Sequence, residues 1–339
     1  MTHTVHIEGL NQSITQNGAD TVLRAALRAG IGFPYECNSG GCGSCKFEIT
    51  SGTIENLWPD APGLTERDRR KNKYLACQCV PTEELAIKVR LDPDGAPKIL
   101  PKRATARLIG ISDITHDMRE FRFAADAPAE FLPGQYASLN IQGVSAPRCY
   151  SMSNLSNREG EWHFQIRRVH RGQASTALFE QMHIGDYVSL DGPFGQAYLR
   201  EDRPRDIVCV AGGSGLAPMV SIARGAAEAG LLRLHRLHFF YGARTPRDIC
   251  GEEFLRHLVG YGDRIAYHPV VSDAYSVDQH GWSGDVGFVH ECIPRRLATD
   301  LTSFEFYFAG PPPMTRAIQE MLMVTHRVPF QQIHFDRFF

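Results

Sequence analysis

The chain has 339 residues, a formal net charge of −2 and 43% hydrophobic residues, enough for two or three domains with cores of their own, and three suits it better. It carries no basic field, so neither nucleic acid nor an anionic membrane is expected as a charge-driven partner. Nine cysteines are an odd number for a disulfide framework, and the opening MTHTVHIEGLNQSITQNGAD lacks the apolar run of a signal peptide. Both point to a reducing, cytoplasmic setting. The uncharged run Ile207 to Ala223 falls short of about 20 residues and contains glycines and a proline, so no membrane span is expected.

Residues 4–8 and 45–49 read as strands and Asp20 to Ala29 as a helix with Leu23 and Leu27 on one face. This pattern resembles a small ferredoxin β-grasp. Cys37, Cys42 and Cys45 lie in CNSGGCGSC, and Cys77 follows after 31 further residues. That is the ligand pattern of a plant-type [2Fe-2S] cluster. Glycines 40, 41 and 43 let the backbone turn tightly and aim N–H groups at cluster sulfurs. A structural zinc site fits poorly, because its cysteines come in two separate knuckles. The fourth ligand has two candidates, Cys77 and Cys79 in LACQC. Cys149, Cys209, Cys250 and Cys292 read as small core residues. The histidines show no paired metal-ligand spacing, and His268, His290 and His334 read as structural or surface residues.

After LAIKVRL, three prolines and one glycine over residues 92–103 predict an extended linker. From Ala104 short alternating segments such as MREFRF, YASLNI and WHFQIRRV, separated by turn residues, predict an antiparallel barrel. Beyond Asp202, the runs DIVCVAG, LHFFYGAR, VGFVHECI and FEFYFAGPPPM alternate with helical stretches as in a parallel α/β sheet. The expected organisation is an α+β β-grasp domain over 1–96, a linker over 97–103, an antiparallel β-barrel over 104–202 and an α/β parallel-sheet domain over 203–339.

Arg148-Cys149-Tyr150-Ser151 offers a cation for phosphate, an aromatic ring and a hydroxyl, the groups a flavin needs. The tetrapeptide alone is common, and Tyr150 could be a core aromatic. PGQY at 133–136 precedes it, and Gly172-Gln173-Ala174-Ser175 follows at the start of an apparent helix, where an N-terminus could hold phosphates. Gly212, Gly213, Ser214 and Gly215 follow the strand DIVCVA, placing a tight turn and helix start beneath a pyrophosphate. Pro218 stands at the third glycine of the usual dinucleotide fingerprint, which weakens a simple Rossmann reading.

The cysteine cluster, RCYS, GQAS, GGSGLAPM, FYGAR, AGPPPM and HFDRFF occur in an order that spans nearly the whole chain. It resembles the ferredoxin–NAD(P)+ reductase superfamily in the N-terminal-ferredoxin arrangement of aromatic-oxygenase reductases. FPYECNSGGCG, WPDAPGL, LACQC and the closing IHFDRFF are similar to reductases of toluene-type diiron monooxygenases. The resemblance selects Cys77 as fourth ligand, from the run Leu75-Ala76-Cys77-Gln78. It implies that Arg148 binds the FAD pyrophosphate, that Tyr150 packs on the isoalloxazine, and that Ser151 hydrogen-bonds the flavin N5, where hydride arrives. It places Phe338 over the flavin with Asp336 two residues before it, although Phe339 extends past that position. Gly310, Pro311, Pro312 and Met314 correspond to a motif near the nicotinamide in which Ala309 replaces a cysteine. Arg244 and Arg247 could grip a 2′-phosphate, or face solvent; the resemblance favours NADH.

The implied activity is an electron-transfer reductase carrying FAD and a [2Fe-2S] cluster, oxidising NADH and serving a Rieske ferredoxin or a diiron hydroxylase. A flavin is expected between the other two carriers, because nicotinamide gives electrons in pairs and the cluster takes them singly. The rivals are a benzoate-type dioxygenase reductase, a self-contained flavin monooxygenase, and a redox-sensing binding module without turnover.

Overall fold

The computed structural model describes residues 2–9, 13–275 and 281–338. Two compact units divide the chain: Met1–Arg103 with Asp191–Gly195, and Ala104–Leu190 with Gln196–Phe338.

In the first unit the strands are β1 (Thr2–Ile7), β2 (Ser13–Asn17), β3 (Lys46–Ser51), β4 (Ile54–Asn56), β5 (Lys73–Leu75), β6 (Cys79–Pro81) and β7 (Leu85–Lys88). Five form a mixed sheet in the order β2-β1-β7-β3-β5, and β4 pairs with β6. Alternation buries Val5, Ile7, Ile14 and Ile87 on one face. Helix α1 (Val22–Arg28) covers it with Val22, Leu23, Ala25, Ala26 and Leu27. It starts at Val22 rather than Asp20 because Thr21 Oγ1 accepts the Arg24 N–H at 3.3 Å as an N-cap. A short helix α2 (Glu66–Arg70) is closed by a Thr65/Asp68 capping box, and Lys46 bonds Asp68 at 2.8 Å.

The expected extended linker is not extended at its start. Asp92–Ala96 turns back onto Gly32, whose amide and carbonyl region it meets through the Asp92 N to Gly32 O bond of 2.8 Å. A Cβ on Gly32 would stand 1.9 Å from Asp92 O, so this docking requires glycine.

In the second unit, β8 (Lys102–Thr115), β9 (Met118–Ala125), β10 (Tyr136–Asn140), β11 (Arg148–Ser151), β12 (Glu161–Arg167) and β13 (Tyr187–Phe194) form a sheet ordered β11-β10-β13-β8-β9-β12. An antiparallel bridge from Met152 to Phe164 brings its two ends together, around a core of Phe121, Phe123, Phe131, Trp162 and Phe164. The expected helix at GQAS is one turn, α3 (Gln173–Thr176), which widens into a π-type turn over Ala177–Gln181. Cys149 is half-buried rather than a core residue, whereas Cys209, Cys250 and Cys292 are buried.

The remaining strands, β14 (Asp206–Gly212), β15 (Leu237–Ala243), β16 (Ile265–Val271), β17 (Asp285–Val286), β18 (Phe304–Gly310) and β19 (Ile333–Arg337), are parallel and ordered β17-β16-β15-β14-β18-β19. Alternate residues face opposite layers. Cys209, Ala211, Phe239, Tyr241 and Tyr307 pack with α4 (Leu216–Glu228). A short helix α5 (Glu252–Leu255) follows β15. Val208, Val210, Phe240, Phe306 and Phe308 share the other layer with residues of α6 (Val289–Leu297) and α7 (Pro312–Glu320). VGFVHECI, expected as a strand, leaves the sheet after Val286, and helix begins at Val289. Glu291 reaches back to the Phe288 N–H at 3.2 Å, and Val289, Cys292 and Ile293 form the buried helical face.

His238 and His268 stack on adjacent strands, with Nδ1 and Nε2 3.2 Å apart, and His268 also stacks on Phe240 at 4.5 Å. Burial, with the neighbouring His238 next and then Arg296, pushes the His268 imidazole down to about 4. The unfolded chain takes up this proton near pH 6.5, and the folded chain refuses it until about pH 4. Stability is thus retained above 6.5 and lost as pH falls through that window. His268→Phe is expected to flatten the fall of Tm between pH 6.5 and 4.5, measured by calorimetry; an unchanged slope would contradict the assignment.

Candidate functional site

The cysteine loop is held by backbone-to-backbone contact. A Cβ on Gly43 (φ +78) would stand 2.4 Å from Gly63 O, so only glycine fits. Cys37 Sγ accepts the N–H groups of Ser39 and Cys42, each at 3.4 Å, and Cys42 Sγ accepts that of Ser44 at 3.4 Å. Cys45 Sγ lies 3.5 Å from Cys77 Sγ, and Gln78 Nε2 donates to Cys77 at 3.6 Å. A hydrogen bond from the Cys42 thiol, helped by Ser39, lowers the Cys37 thiol to about 5. The Cys45 thiol likewise lowers Cys77, and Cys42 and Cys45 are raised in exchange.

Donors aimed at sulfur favour thiolate, the form that ligates iron, and none of these cysteines is in a disulfide. The donor set therefore fits a [2Fe-2S] cluster. Cys79 is fully buried and makes no hydrogen bond to another cysteine sulfur among the described residues. Burial and then the Cys77 charge push its thiol up to about 12.

In the barrel, β11 pairs with β10 so that Ser151 stands opposite Tyr136 and Tyr150 opposite Ala137. Ser151 is buried and Tyr150 half-buried, and burial pushes the Tyr150 hydroxyl up to about 12. Arg148 Nη1 donates to Ala146 O at 2.8 Å, and no described carboxylate pairs with the guanidinium. An unpaired cation, a half-buried ring and a buried hydroxyl on one strand fit a flavin. Gly172 precedes the short α3, and Ala174 is buried within it. The Ser175 hydroxyl is engaged in the loop itself, accepting the Val169 N–H at 3.1 Å and donating to Gly172 O at 3.1 Å.

At the carboxyl end of β14, Gly212 enters the turn Gly213–Gly215 that starts α4, with Ser214 half-buried in it. A Cβ on Gly215 would stand 2.0 Å from Ala309 O, and one on Gly212 2.6 Å from Met314 Sδ. The glycine turn and the Gly310-Pro311-Pro312 turn therefore pack backbone against backbone at neighbouring strand ends. This cradle, which a single Cβ would fill, fits a dinucleotide. Asp336 is buried opposite Ala309 in β19. The Phe338 N–H donates to Gly310 O at 3.2 Å, and its ring packs on the core beside α4. Phe339 lies outside the described residues. Arg244 and Arg247 are exposed.

The chain just past Ser151 is bonded to α4. Ser221 Oγ donates to Asn154 O at 2.8 Å and accepts the Gly134 N–H at 3.3 Å, and Arg224 Nη1 donates to Ser153 O at 2.7 Å. The sequence reading missed Arg167, whose partners come from distant segments. Its Nε bonds Asp117 at 2.7 Å and its Nη2 bonds Asp248 at 3.5 Å, while Nη1 stands 3.6 Å from a Cβ position on Gly213. His116, Asp117 and Asp248 lie close enough together to hold a cation, but the guanidinium already pairs with both acids. His290 stacks on Phe288 and His334 bonds Glu305 at 2.7 Å, both structural contacts.

Residues 5–82 match the family of 2Fe-2S iron-sulfur cluster binding domains, 105–198 the oxidoreductase FAD-binding domain and 209–320 the oxidoreductase NAD-binding domain. The ferredoxin–NAD(P)+ reductase CarAd of Metapseudomonas resinovorans is 40% identical, over 99% of this chain and 100% of its own length. This chain belongs to the ferredoxin–NAD(P)+ reductases of oxygenase systems. The xylene/toluene monooxygenase electron transfer component XylA of Pseudomonas putida is 33% identical, over 99% of this chain and 93% of its own. The solved ferredoxin reductase in carbazole 1,9a-dioxygenase has a TM-score of 0.90 at 37% identity, covering 100% of this chain and 99% of that one. The reductase is thus an iron–sulfur flavoprotein oxidoreductase with 2Fe-2S, FAD and NAD domains in that order. Among its described residues no helix is long and apolar enough to cross a membrane.

Cys77→Ser is expected to abolish the cluster or shift its EPR signal, and Cys79→Ser to leave the signal intact. The converse result would move the fourth ligand to Cys79.

Proposed function

We propose that the reductase draws electrons from NADH and delivers them to the oxygenase side of a toluene-type aromatic monooxygenase system in the cytoplasm, through a Rieske ferredoxin or directly to the diiron hydroxylase. The observation that carries this reading is the bonded join of α4 to Ser153 and Asn154, which ties the glycine turn at the start of α4 to the chain just past Arg148, Tyr150 and Ser151. When bound, nicotinamide supplies electrons in pairs, flavin holds one or two, and a [2Fe-2S] cluster passes them singly.

The chain's own residues bind and orient. Cys37, Cys42, Cys45 and Cys77 would hold the cluster. Arg148 would neutralise the flavin phosphates, with backbone at Gly172 and Ala174 and the Ser175-braced loop beside them. Tyr150 would pack on the ring, Ser151 would donate its hydroxyl at the reacting nitrogen, and Asp336 and Phe338 would close the opposite side. Gly212, Gly213, Ser214 and Gly215 would receive the NADH pyrophosphate at the start of the 13-residue α4. Gly310, Pro311, Pro312 and Met314 would border the nicotinamide, and Arg244 the adenosine end.

Cofactor choice has support that the linear sequence hides. The Asp273 N–H donates to Arg244 O at 2.9 Å, so β16 brings a carboxylate-bearing residue to the end of β15, where it would oppose a 2′-phosphate. A second reading, the reductase of a ring-hydroxylating dioxygenase, is favoured by the 0.90 TM-score with the carbazole system's reductase. Reconstitution with purified oxygenase components separates the two by which one supports hydroxylated product.

For the reductase, kcat/KM with NADH should exceed that with NADPH by about tenfold, roughly 1.4 kcal/mol. Equal or inverted values would refute the preference, and Arg244→Ala should reduce NADPH use more than NADH use. A fragment of residues 104–339 should bind FAD and reduce a small artificial acceptor with NADH, while transfer to the oxygenase side falls to near background. Full-rate hydroxylation with that fragment would show that the cluster is not the exit.

A further inference from the structure

The cysteine loop has an outer wall, and that wall carries an unusual combination of side chains. Residues 57–64 run across the loop. The Gly63 N–H donates to Gly40 O at 3.0 Å, a Cβ on Gly63 would stand 2.7 Å from Gly43 N, and one on Gly40 would stand 3.1 Å from Trp58 Cε3. The wall is therefore one backbone thick, about 5 Å. Its outside presents Leu57, 53% exposed, and Trp58, 43% exposed.

The same segment continues into α2, tied back by the Arg69 Nη2 to Ala61 O bond of 3.3 Å. Five of the thirteen Lys and Arg residues of 1–103 fall within 67–73. Arg67 and Lys71 are exposed and pair with no described carboxylate. Arg70 has only an exposed bond to Glu66 at 3.3 Å, which barely reduces its outward charge. Neither the capping box nor the fold needs these cations: Thr65 and Asp68 close the box, and Lys46 already serves Asp68.

We propose that Leu57 and Trp58, flanked by Arg67, Arg70 and Lys71, form the docking surface for an electron-accepting protein with an acidic face. An apolar centre with an aromatic anchor and a charged rim is the anatomy of a protein interface. The exposed charge on the α2 side is mostly cationic, with Glu55, Asp60 and Glu66 exposed elsewhere beside the patch, and such an uneven field speeds and orients a short-lived encounter, which a carrier that must leave after each turnover requires. The proposal rests on the reading that electrons leave from the cluster, because that is what makes a surface packed on the cysteine loop a useful place to dock.

The test uses the full-length holoenzyme, with a purified acidic Rieske ferredoxin and the basic protein cytochrome c as acceptors. Reduction of the Rieske ferredoxin should slow as ionic strength rises. The double variant Arg67→Glu/Lys71→Glu should lower its second-order rate constant about tenfold at low salt and flatten that dependence, with cytochrome c reduction not slowed. Leu57→Asp should also slow the ferredoxin reaction. NADH reduction of a small acceptor and the EPR signal of the NADH-reduced cluster should be unchanged in every variant. Unaltered Rieske kinetics with a normal EPR signal would overturn the docking surface alone. A cluster that NADH cannot reduce would overturn the electron route and the surface with it. A variant that changes the oligomeric state in light scattering, with Rieske kinetics unaltered, would assign the face to a second copy of the chain.

Discussion

Backbone packed directly on backbone, with no side chain between, is the constraint on which both candidate sites depend. At the cysteine loop Gly43 lies against Gly63, and at the glycine turn before α4 Gly215 lies against Ala309, with room for no Cβ at either place. Each contact does the same physical work. It leaves peptide N–H groups free to approach an anionic group with no side chain between, as they do at the Cys37 and Cys42 sulfurs and as a phosphate would require. A chain with alanine at these positions would have to separate the two backbones, and the thiols and strand ends would separate with them.

The parallel sheet turns the second contact into a site. With β15 on one side of β14 and β18 on the other, the chain order reverses at β14 and leaves a crevice at the carboxyl ends, the usual place for a ligand in this architecture. One wall is α4, locked to the barrel by Ser221 and Arg224. The other side is closed by β19, which a buried charge network attaches to the sheet. Glu305, 1% exposed, receives hydrogen bonds from Arg205 at 3.1 Å and His334 at 2.7 Å. Deleting the carboxylate would leave the largely buried His334 and the partly buried Arg205 without this partner, at a cost of about 1–3 kcal/mol. The strand that carries Asp336, with Phe338 just beyond its end, is thus positioned by a polar network several residues away.

The histidines illustrate the difference between a residue type and its role. Three of them read from sequence as structural or surface residues, and each has a packing partner: Phe240 for His268, Phe288 for His290 and Glu305 for His334. His116, which no spacing singled out, stands beside two carboxylates. Arg167 occupies that cluster and links β12, the Asp117 turn and the Asp248 turn at the mouth of the glycine turn.

The sequence by itself determined the order of the three domains and the features that depend on local backbone geometry: the cysteine spacing, the RCYS strand and the glycine turns. These are legible because a tight turn demands glycine wherever it occurs, and strand alternation repeats every two residues. Short apolar runs are not legible in this way. VGFVHECI suits either a strand or a helix until Glu291 caps Phe288. Cys77, which the resemblance selected over Cys79, is brought beside Cys45 by the tertiary structure. The tertiary structure alone brought Asp273 to Arg244 and Arg167 to Gly213, and turned the proline-rich segment back onto Gly32. These contacts join residues far apart in the chain, and their energy comes from register and burial, which no local pattern records.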